Sequence, residues 1–340
     1  LLGGGATGAY LLKRPSADGR LLMWKIDTRI MLRHPLCGVG LGNFAGAFGE
    51  EQAAYFAAEE RPEKEIQVAG CPESGFNEYL QFGAETGVGG VILLILVTVT
   101  AFLNLIRQGN PLGYGLLTAA LFACFSYPWS VLPLRLLFVL LLAAVGGKPV
   151  FHFRKGALFA LGVLLFAGCF ACWPGLYGRS KLRVNASRQW SDVRIWASSG
   201  RYDYIVEDGA RFLTAMQWDF RFLYDYGYAL HKAGDYRRSN EILGLGMQIS
   251  SDPMFWNIAG NNYLALKQYD QGMTAYLRAY YTCPNRVYPL YLLTKLEAER
   301  GDTTMMNYYG RILLGKRPKV PSLAVDEMKF EIRKMLDVKL

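Results

Sequence analysis

Apolar runs separated by short polar turns dominate the middle of the chain and predict a group of membrane helices. They cover residues 88–106, 112–129, 132–145 and 157–173. The first run has about the 20 helical residues that cross a bilayer core of roughly 30 Å. The third is shorter and contains Arg135, so it is either a span or a re-entrant segment. The pattern predicts a polytopic membrane domain over residues 88–174.

An earlier apolar run, rich in glycine, opens the chain at residues 1–12. It lacks the basic start and the small-residue cleavage site of a signal peptide. We interpret it as the end of a preceding membrane helix, so we expect the chain to be the C-terminal part of a larger membrane protein.

The basic residues of the short turns predict which side of the membrane each segment occupies. Arg107 follows the first run, and Lys148, Arg154 and Lys155 lie between the third and fourth runs. Short loops rich in Lys and Arg stay in the cytoplasm. We therefore expect residues 13–87 and everything after the fourth run to lie on the outer side.

Residues 189–335 repeat at a period of 33 to 34 residues, the length of a helix–turn–helix unit. The turns recur at 200–202, 234–236, 267–269 and 300–302. Gly227 and Gly260 occupy equivalent positions, as do Leu243 and Tyr276. This pattern resembles the tetratricopeptide repeat, which implies an α-solenoid whose concave surface binds a protein or an acceptor. A rigid cap or spacer is the alternative.

Taken together, these patterns predict an all-α protein, in which a polytopic helical membrane domain precedes an α-solenoid. The bulk composition agrees, because 52% hydrophobic and 19% charged residues are too apolar for an ordinary soluble chain. The net charge of +9 is shared between cytoplasmic turns and outer segments, and no nucleic-acid motif accompanies it. We expect a lipid bilayer as partner and no nucleic acid.

Six cysteines do not suggest a disulfide scaffold here. Cys169 and Cys172 lie inside an apolar run, where we read them as packing residues and predict no metal site. Cys37 and Cys71 both fall in the segment 13–87, and a bridge between them is possible in an oxidising compartment.

Within residues 13–87, a helix is predicted over 15–33 with two basic faces. One face carries Arg20, Trp24, Asp27 and Met31, and the other carries Lys25, Arg29 and Arg33. Guanidinium groups offer paired donors to phosphate oxygens, so this helix is suited to a phosphate-bearing substrate. Contact with anionic lipid head groups is the alternative. Residues 50–65 read as a solvated acidic helix with no chemistry, and the glycines at 38–42 as a turn.

A second helix is predicted to begin near Glu73 and to continue into the first apolar run. Asn77, Gln81 and Glu85 form a polar stripe along it at intervals of four, with Glu78 beside them. Ionisable groups this close to the bilayer are functional candidates. The alternative is that Glu85 merely marks the interface.

Three motifs in these segments occur in order and with the apolar runs in place. They are Gly19-Arg20 with Trp24, Pro35-Leu36-Cys37-Gly38-Val39-Gly40 with Asn43-Phe44, and Asn77-Glu78-Tyr79-Leu80-Gln81 with Glu85, Gly87 and Gly90. Residues 13–145 thereby resemble the O-antigen ligase and polymerase family. The resemblance implies an inverting transfer of a polyprenyl-diphosphate-linked glycan to an acceptor hydroxyl. The resemblance also implies that this reaction takes place at the periplasmic face of a bacterial inner membrane, without cofactor, nucleotide sugar or metal.

The resemblance also implies roles for particular residues. Arg20 matches the family's loop arginine and would bind the diphosphate, with Arg29 and Arg33 as further diphosphate-binding candidates. The family's histidine before Asn77 is replaced by Phe76, so we name Glu73 and Glu78 as candidate catalytic carboxylates. The alternative function is a non-catalytic membrane scaffold that presents the repeats for protein–protein binding.

Overall fold

The computed structural model describes residues 14–144, 155–319 and 321–336, and the regular structure in these ranges is entirely helical. The predicted helix end at 1–12 lies outside the described residues. The helices are α1 (Arg14–Arg33), α2 (Phe44–Ala58), α3 (Glu63–Val68), α4 (Glu78–Arg107), α5 (Leu112–Ala123), α6 (Leu132–Ala143), α7 (Lys155–Ser198), α8 (Tyr202–Met216), α9 (Phe220–Lys232), α10 (Tyr236–Ile249), α11 (Met254–Ala265), α12 (Tyr269–Thr282), α13 (Tyr288–Arg300), α14 (Thr303–Gly315) and α15 (Leu323–Met335).

The helix predicted over 15–33 is confirmed as α1. Its apolar residues Leu22, Ile26 and Ile30 pack against Phe44 and Phe48 of α2. Helix α1 also packs against α4, which contributes Ala84 to the same core. These helices share one small core, so the segment before the apolar runs is a folded unit.

The prediction of a solvated helix over 50–65 is wrong for residues 51–56, whereas residues 57–60 and 62–64 are exposed. Helix α2 is buried on several sides, and even Glu51 and Gln52 are almost inaccessible to solvent. The reason is that α2 packs between α1 and the C-terminal helices α10 and α12. Gly46 and Gly49 permit this approach, because a methyl group at either position would meet the backbone at 248–251.

The apolar runs coincide with helices. Among the described residues, Glu78–Arg107 has the length and composition to cross a bilayer, with a mean hydropathy of 2.4 over its most apolar stretch. The next two runs contain shorter apolar helices, Leu112–Ala123 and Leu132–Ala143. The fourth run lies within α7, which does not end at 174 but continues to Ser198. The predicted domain boundary therefore falls inside a helix.

The C-terminal helices follow the predicted period. Helices α8, α10 and α12 begin at the last residue of a predicted turn, and α14 begins directly after one. Each turn contains a residue with positive φ, at Gly200 (73°), Gly234 (83°), Lys267 (59°) and Gly301 (77°). A left-handed residue ends a helix and lets the next one fold back against it. Successive helices pack side by side from α7 to α15.

The paired positions also agree with the predicted register. A methyl group at Gly227 would lie 2.7 Å from the side chain of Leu243, and one at Gly260 would overlap Tyr276. In both helix pairs a large side chain of the next helix therefore packs directly against the glycine.

Candidate functional site

The site begins where the chain after α1 docks on α4. Val39 N donates to Ala84 O at 2.9 Å, and Gly40 N donates to Glu85 O at 3.0 Å. Gly87 interrupts the helix with φ 80° and ψ 177°, and the next amide, at position 88, donates to Pro35 O at 2.9 Å. This close backbone contact explains two motif glycines. A methyl group at Gly38 would overlap the Glu85 carbonyl, and one at Gly87 would lie 2.6 Å from Pro35 O.

The polar stripe of α4 holds this arrangement together. Asn77 caps the helix, accepting hydrogen bonds from the amides of residues 79 and 80 at 3.1 Å. Because of this cap, α4 begins at Glu78 rather than near Glu73 as predicted. Gln81 accepts a hydrogen bond from Gly75 N at 3.0 Å, and Glu85 accepts one from Gly42 N at 3.3 Å. Gln81 and Glu85 therefore fix loop backbone, whereas Asn77 fixes the first turn of α4.

Arg20 lies beside the position where the resemblance predicts a histidine. Its guanidinium carbon is 5.3 Å from the centre of the Phe76 ring, and its Nη1 donates to Phe125 O at 3.1 Å. Phe76 also makes an edge contact with Tyr127, with ring centres 4.9 Å apart. Phe76 has a φ of 52°, an unusual value for a bulky residue and one that clusters at functional sites. Arg20 of the first motif and Phe76, next to the third motif, thus both contact the segment that joins α5 to α6.

The two candidate carboxylates have different surroundings. Glu78 is buried and accepts a hydrogen bond of 2.6 Å from Trp129 N, so it anchors the segment between α5 and α6. The Glu73 side chain is 67% exposed, and its carboxylate lies 3.5 Å from the guanidinium of Arg221 on α9. Glu73 is therefore the carboxylate that an incoming molecule can reach.

Arg29 and Arg33 both form ion pairs with the same carboxylate. Arg29 Nε and Arg33 Nη1 each lie 2.6 Å from an oxygen of Glu51, whose side chain is only 5% exposed. Lys25, on the same stripe, lies 3.1 Å from Glu65. At 1.5 Å per residue, Arg33 is about 20 Å along α1 from Arg20. One diphosphate cannot reach both ends of that distance, so the structure does not bring the three arginines together.

Asp27 was not named as a site residue from the sequence, although it shares the face of Arg20. It is fully buried, and both its carboxyl oxygens have no hydrogen-bond partner among the described residues. Burial raises the pKa of the Asp27 carboxyl well above its usual range. A methyl group at Gly75 would lie 2.6 Å from Asp27 Oδ2, so the carboxyl sits directly behind the Phe76 turn. The sequence feature that could have predicted this buried carboxyl is an acidic residue placed between the apolar residues Ile26 and Ile30.

A polar cleft of about 510 Å³ lies between this unit and the C-terminal helices. Its lining includes Arg33, His34, Asn43, Glu50 and Gln248. The cleft is thus formed partly by α1 and α2 and partly by the end of α10.

Comparison with curated proteins gave no match. A comparison with family models did give one, and its limits coincide with the unit described above. The match begins just before α1 and ends within α4, so it includes Arg20, the glycine-rich loop and the polar stripe. Residues 11–95 of this chain match the family model described as O-Antigen ligase.

Proposed function

We propose that this chain carries part of the active site of a glycan ligase or polymerase. The donor would be a polyprenyl-diphosphate-linked glycan, and the acceptor a hydroxyl group presented at the periplasmic face of the inner membrane. The observation that carries the proposal is the position of Arg20 against Phe76, inside the segment that matches the O-antigen ligase model.

In this reaction the acceptor oxygen attacks the anomeric carbon, and the bond from that carbon to the diphosphate breaks. Arg20 stabilises the negative charge that develops on the diphosphate. Glu73 takes the proton of the acceptor hydroxyl, because its side chain is exposed whereas Glu78 is bound to Trp129 N. We assign Arg29 and Arg33 to holding Glu51 and not to the diphosphate.

The membrane surface of the chain suits a lipid-linked donor. An apolar groove of about 310 Å³ between α4 and α5 is lined by residues such as Ile95, Val99 and Leu117. Tyr79, one residue from Glu78, also lines it. A polyprenyl chain in this groove would bring its diphosphate to the level of Arg20.

The proposal places residues 13–87 and the C-terminal helices in the periplasm of a multi-pass inner-membrane protein. The packing of α2 on α10 and α12 supports a common location of the two segments, because it requires both to be on one side of the bilayer. We further propose that the C-terminal helices are tetratricopeptide-like repeats that hold the catalytic unit and dock the acceptor or a protein partner.

A second candidate is a scaffold without catalysis. It is favoured by Phe76 in the histidine position and by the structural hydrogen bonds of Asn77, Gln81 and Glu85. In that case the C-terminal helices would present a surface to partner proteins, and Arg20 would serve only to contact Phe76 and the Phe125 carbonyl.

The two candidates differ in what Arg20→Ala does to glycan transfer. Cells lacking the chromosomal copy are complemented with each variant, and lipid-linked and transferred glycan are separated on gels. We expect Arg20→Ala to abolish transfer and to leave the lipid-linked donor accumulated, with Glu73→Gln strongly impaired. Arg14→Ala is the matched control, because Arg14 lies on the same helix and is largely exposed. Wild-type transfer by both Arg20→Ala and Glu73→Gln, at equal membrane levels, would establish the scaffold instead.

A further inference from the structure

Two cysteines that lie 212 positions apart in the chain meet at the junction between the loop unit and the C-terminal helices. Cys71 lies between α3 and α4, and Cys283 follows α12. Their sulfur atoms are 2.9 Å apart. The sequence-based alternative, a Cys37–Cys71 bridge, is wrong in this structure, because Cys37 is exposed and Cys71 faces Cys283.

We propose that Cys71 and Cys283 form a disulfide that joins the loop unit covalently to the C-terminal helices. A disulfide has a sulfur–sulfur distance of about 2.0 Å, so the two side chains need to approach by only about 1 Å. Small side-chain rotations supply such a movement.

The backbone on either side of the pair is held in place by other groups. Gln52 is fully buried, and its Nε2 donates to Gly70 O at 2.8 Å and to Thr282 O at 2.5 Å. One side chain therefore ties together the residues that precede the two cysteines. Asn285 Nδ2 adds a hydrogen bond of 2.7 Å to Ala69 O. The cysteines are thus presented to each other by contacts that do not depend on the disulfide.

The surroundings also favour a thiolate at Cys283, which acts in the second step of disulfide formation. The hydrogen bond from Cys71 and the nearby Arg286 guanidinium lower the pKa of Cys283. The same hydrogen bond and burial raise the pKa of Cys71, so Cys283 is the thiolate of the pair. Cys71 is partly exposed and lines a small cavity of about 220 Å³ with Pro72, whereas Cys283 is buried. Cys71 is therefore the sulfur that an external reagent meets first, and Cys283 is the one that resolves the intermediate.

The oxidant is a disulfide, either that of a periplasmic thiol oxidase or oxidised glutathione. The Cys71 sulfur attacks it while its proton passes to the departing sulfur of the oxidant, so that a mixed disulfide forms and one thiol of the oxidant is released. Cys283 then attacks the Cys71 sulfur and expels the second thiol. The two cysteines lose two protons and two electrons, and the oxidant's disulfide gains them. The step rests on the proposed periplasmic position of both segments, since disulfides persist in oxidising compartments.

The test uses the full chain, purified in detergent without reductant. Free thiols are blocked with N-ethylmaleimide in denaturant, the protein is digested, and the peptides are analysed by mass spectrometry before and after reduction. We expect a peptide pair joined through Cys71 and Cys283 in most molecules, and Cys37 alkylated. Recovery of both cysteines as alkylated thiols, even after incubation with oxidised glutathione, would overturn the proposal, as would a Cys37–Cys71 bridge.

Thermal unfolding gives a second readout that does not depend on peptide recovery. Reductant should lower the unfolding midpoint of the wild type and of Cys37→Ser to that of Cys71→Ser, and should leave Cys71→Ser unchanged. An equal effect of reductant on all three proteins would contradict the bridge. Failure of this proposal can be told apart from failure of the catalytic one. The disulfide is measured by peptide analysis, whereas the catalytic proposal is measured by glycan transfer in Arg20→Ala, which does not depend on the state of these cysteines.

Discussion

The contact between the glycine-rich loop and α4 makes Gly38→Ala an informative substitution. Gly38 has φ 61°, and an added methyl group would overlap the backbone carbonyl of Glu85, which cannot rotate away. Relief requires the loop to move, which weakens the hydrogen bonds that Val39 and Gly40 donate to α4. Gly42 is the matched control, since its φ is 84° but a methyl group there meets no atom within 4 Å.

The expected magnitudes follow from these two environments. The left-handed conformation costs an alanine about 1–2 kcal/mol at either position. Overpacking adds about 1–3 kcal/mol, and this second cost applies only at Gly38. We expect a clearly lower unfolding midpoint for Gly38→Ala than for Gly42→Ala when the full chain is heated in detergent. Equal midpoints for the two variants would refute the docking of this loop on the interrupted helix.

Three further predictions concern the cores of the two units. Asp27 has a raised pKa, so its carboxyl stays protonated in the folded state at pH values where the unfolded state has lost the proton, that is, above about pH 3.8. The free energy of unfolding of the wild type, relative to that of Asp27→Asn, should therefore fall with rising pH by about 1.4 kcal/mol per pH unit until the folded-state pKa is passed. Chemical denaturation at several pH values measures this difference, and parallel pH profiles for the two proteins would exclude the prediction. Gly246→Ala should destabilise by about 1–3 kcal/mol because the methyl group overlaps Phe255, whereas Gly244→Ala, with open space around it, should be neutral or slightly stabilising in the same thermal assay. Glu51→Gln should lower the free energy of unfolding in urea by about 2 kcal/mol, because the half-exposed guanidinium groups of Arg29 and Arg33 lose their carboxylate partner. An unchanged free energy of unfolding would show that these ion pairs contribute little.

Local periodicity predicted much of the fold. The turn positions of the C-terminal helices follow from a repeated spacing, and the pairing of Gly227 with Leu243 follows from the same register. Helix α1 and its two basic faces could likewise be predicted, because the spacing of residues along a helix determines which side chains share a face.

Contacts between distant segments could not be predicted in this way. Helix α2 looked like a solvated helix because its buried faces are completed by α10 and α12, about 200 positions away. The partners of Arg29 and Arg33 depend on the same placement, since Glu51 reaches them only when α2 lies against α1. The pairing of Cys71 with Cys283 also arises only after both units have folded and docked.

The contact between Arg20 and Phe76 could not be predicted from the sequence. The sequence indicated that α1 and the start of α4 share one membrane surface, but periodicity gives no distance between two helices. The structure supplies that distance, and it also shows that the segment between α5 and α6 contacts Arg20 through the Phe125 carbonyl. No motif in that segment signalled this contribution.

The account depends most on the loop unit being at the periplasmic surface. Cys37 is exposed in that unit and serves as a natural probe. Intact cells are treated with a maleimide that crosses the outer but not the inner membrane, and the protein is then isolated and its label measured, with Cys37→Ser as the control. The account predicts that Cys37 is labelled in intact cells to the same extent as in permeabilised ones. Labelling of Cys37 only after the inner membrane is permeabilised would contradict it.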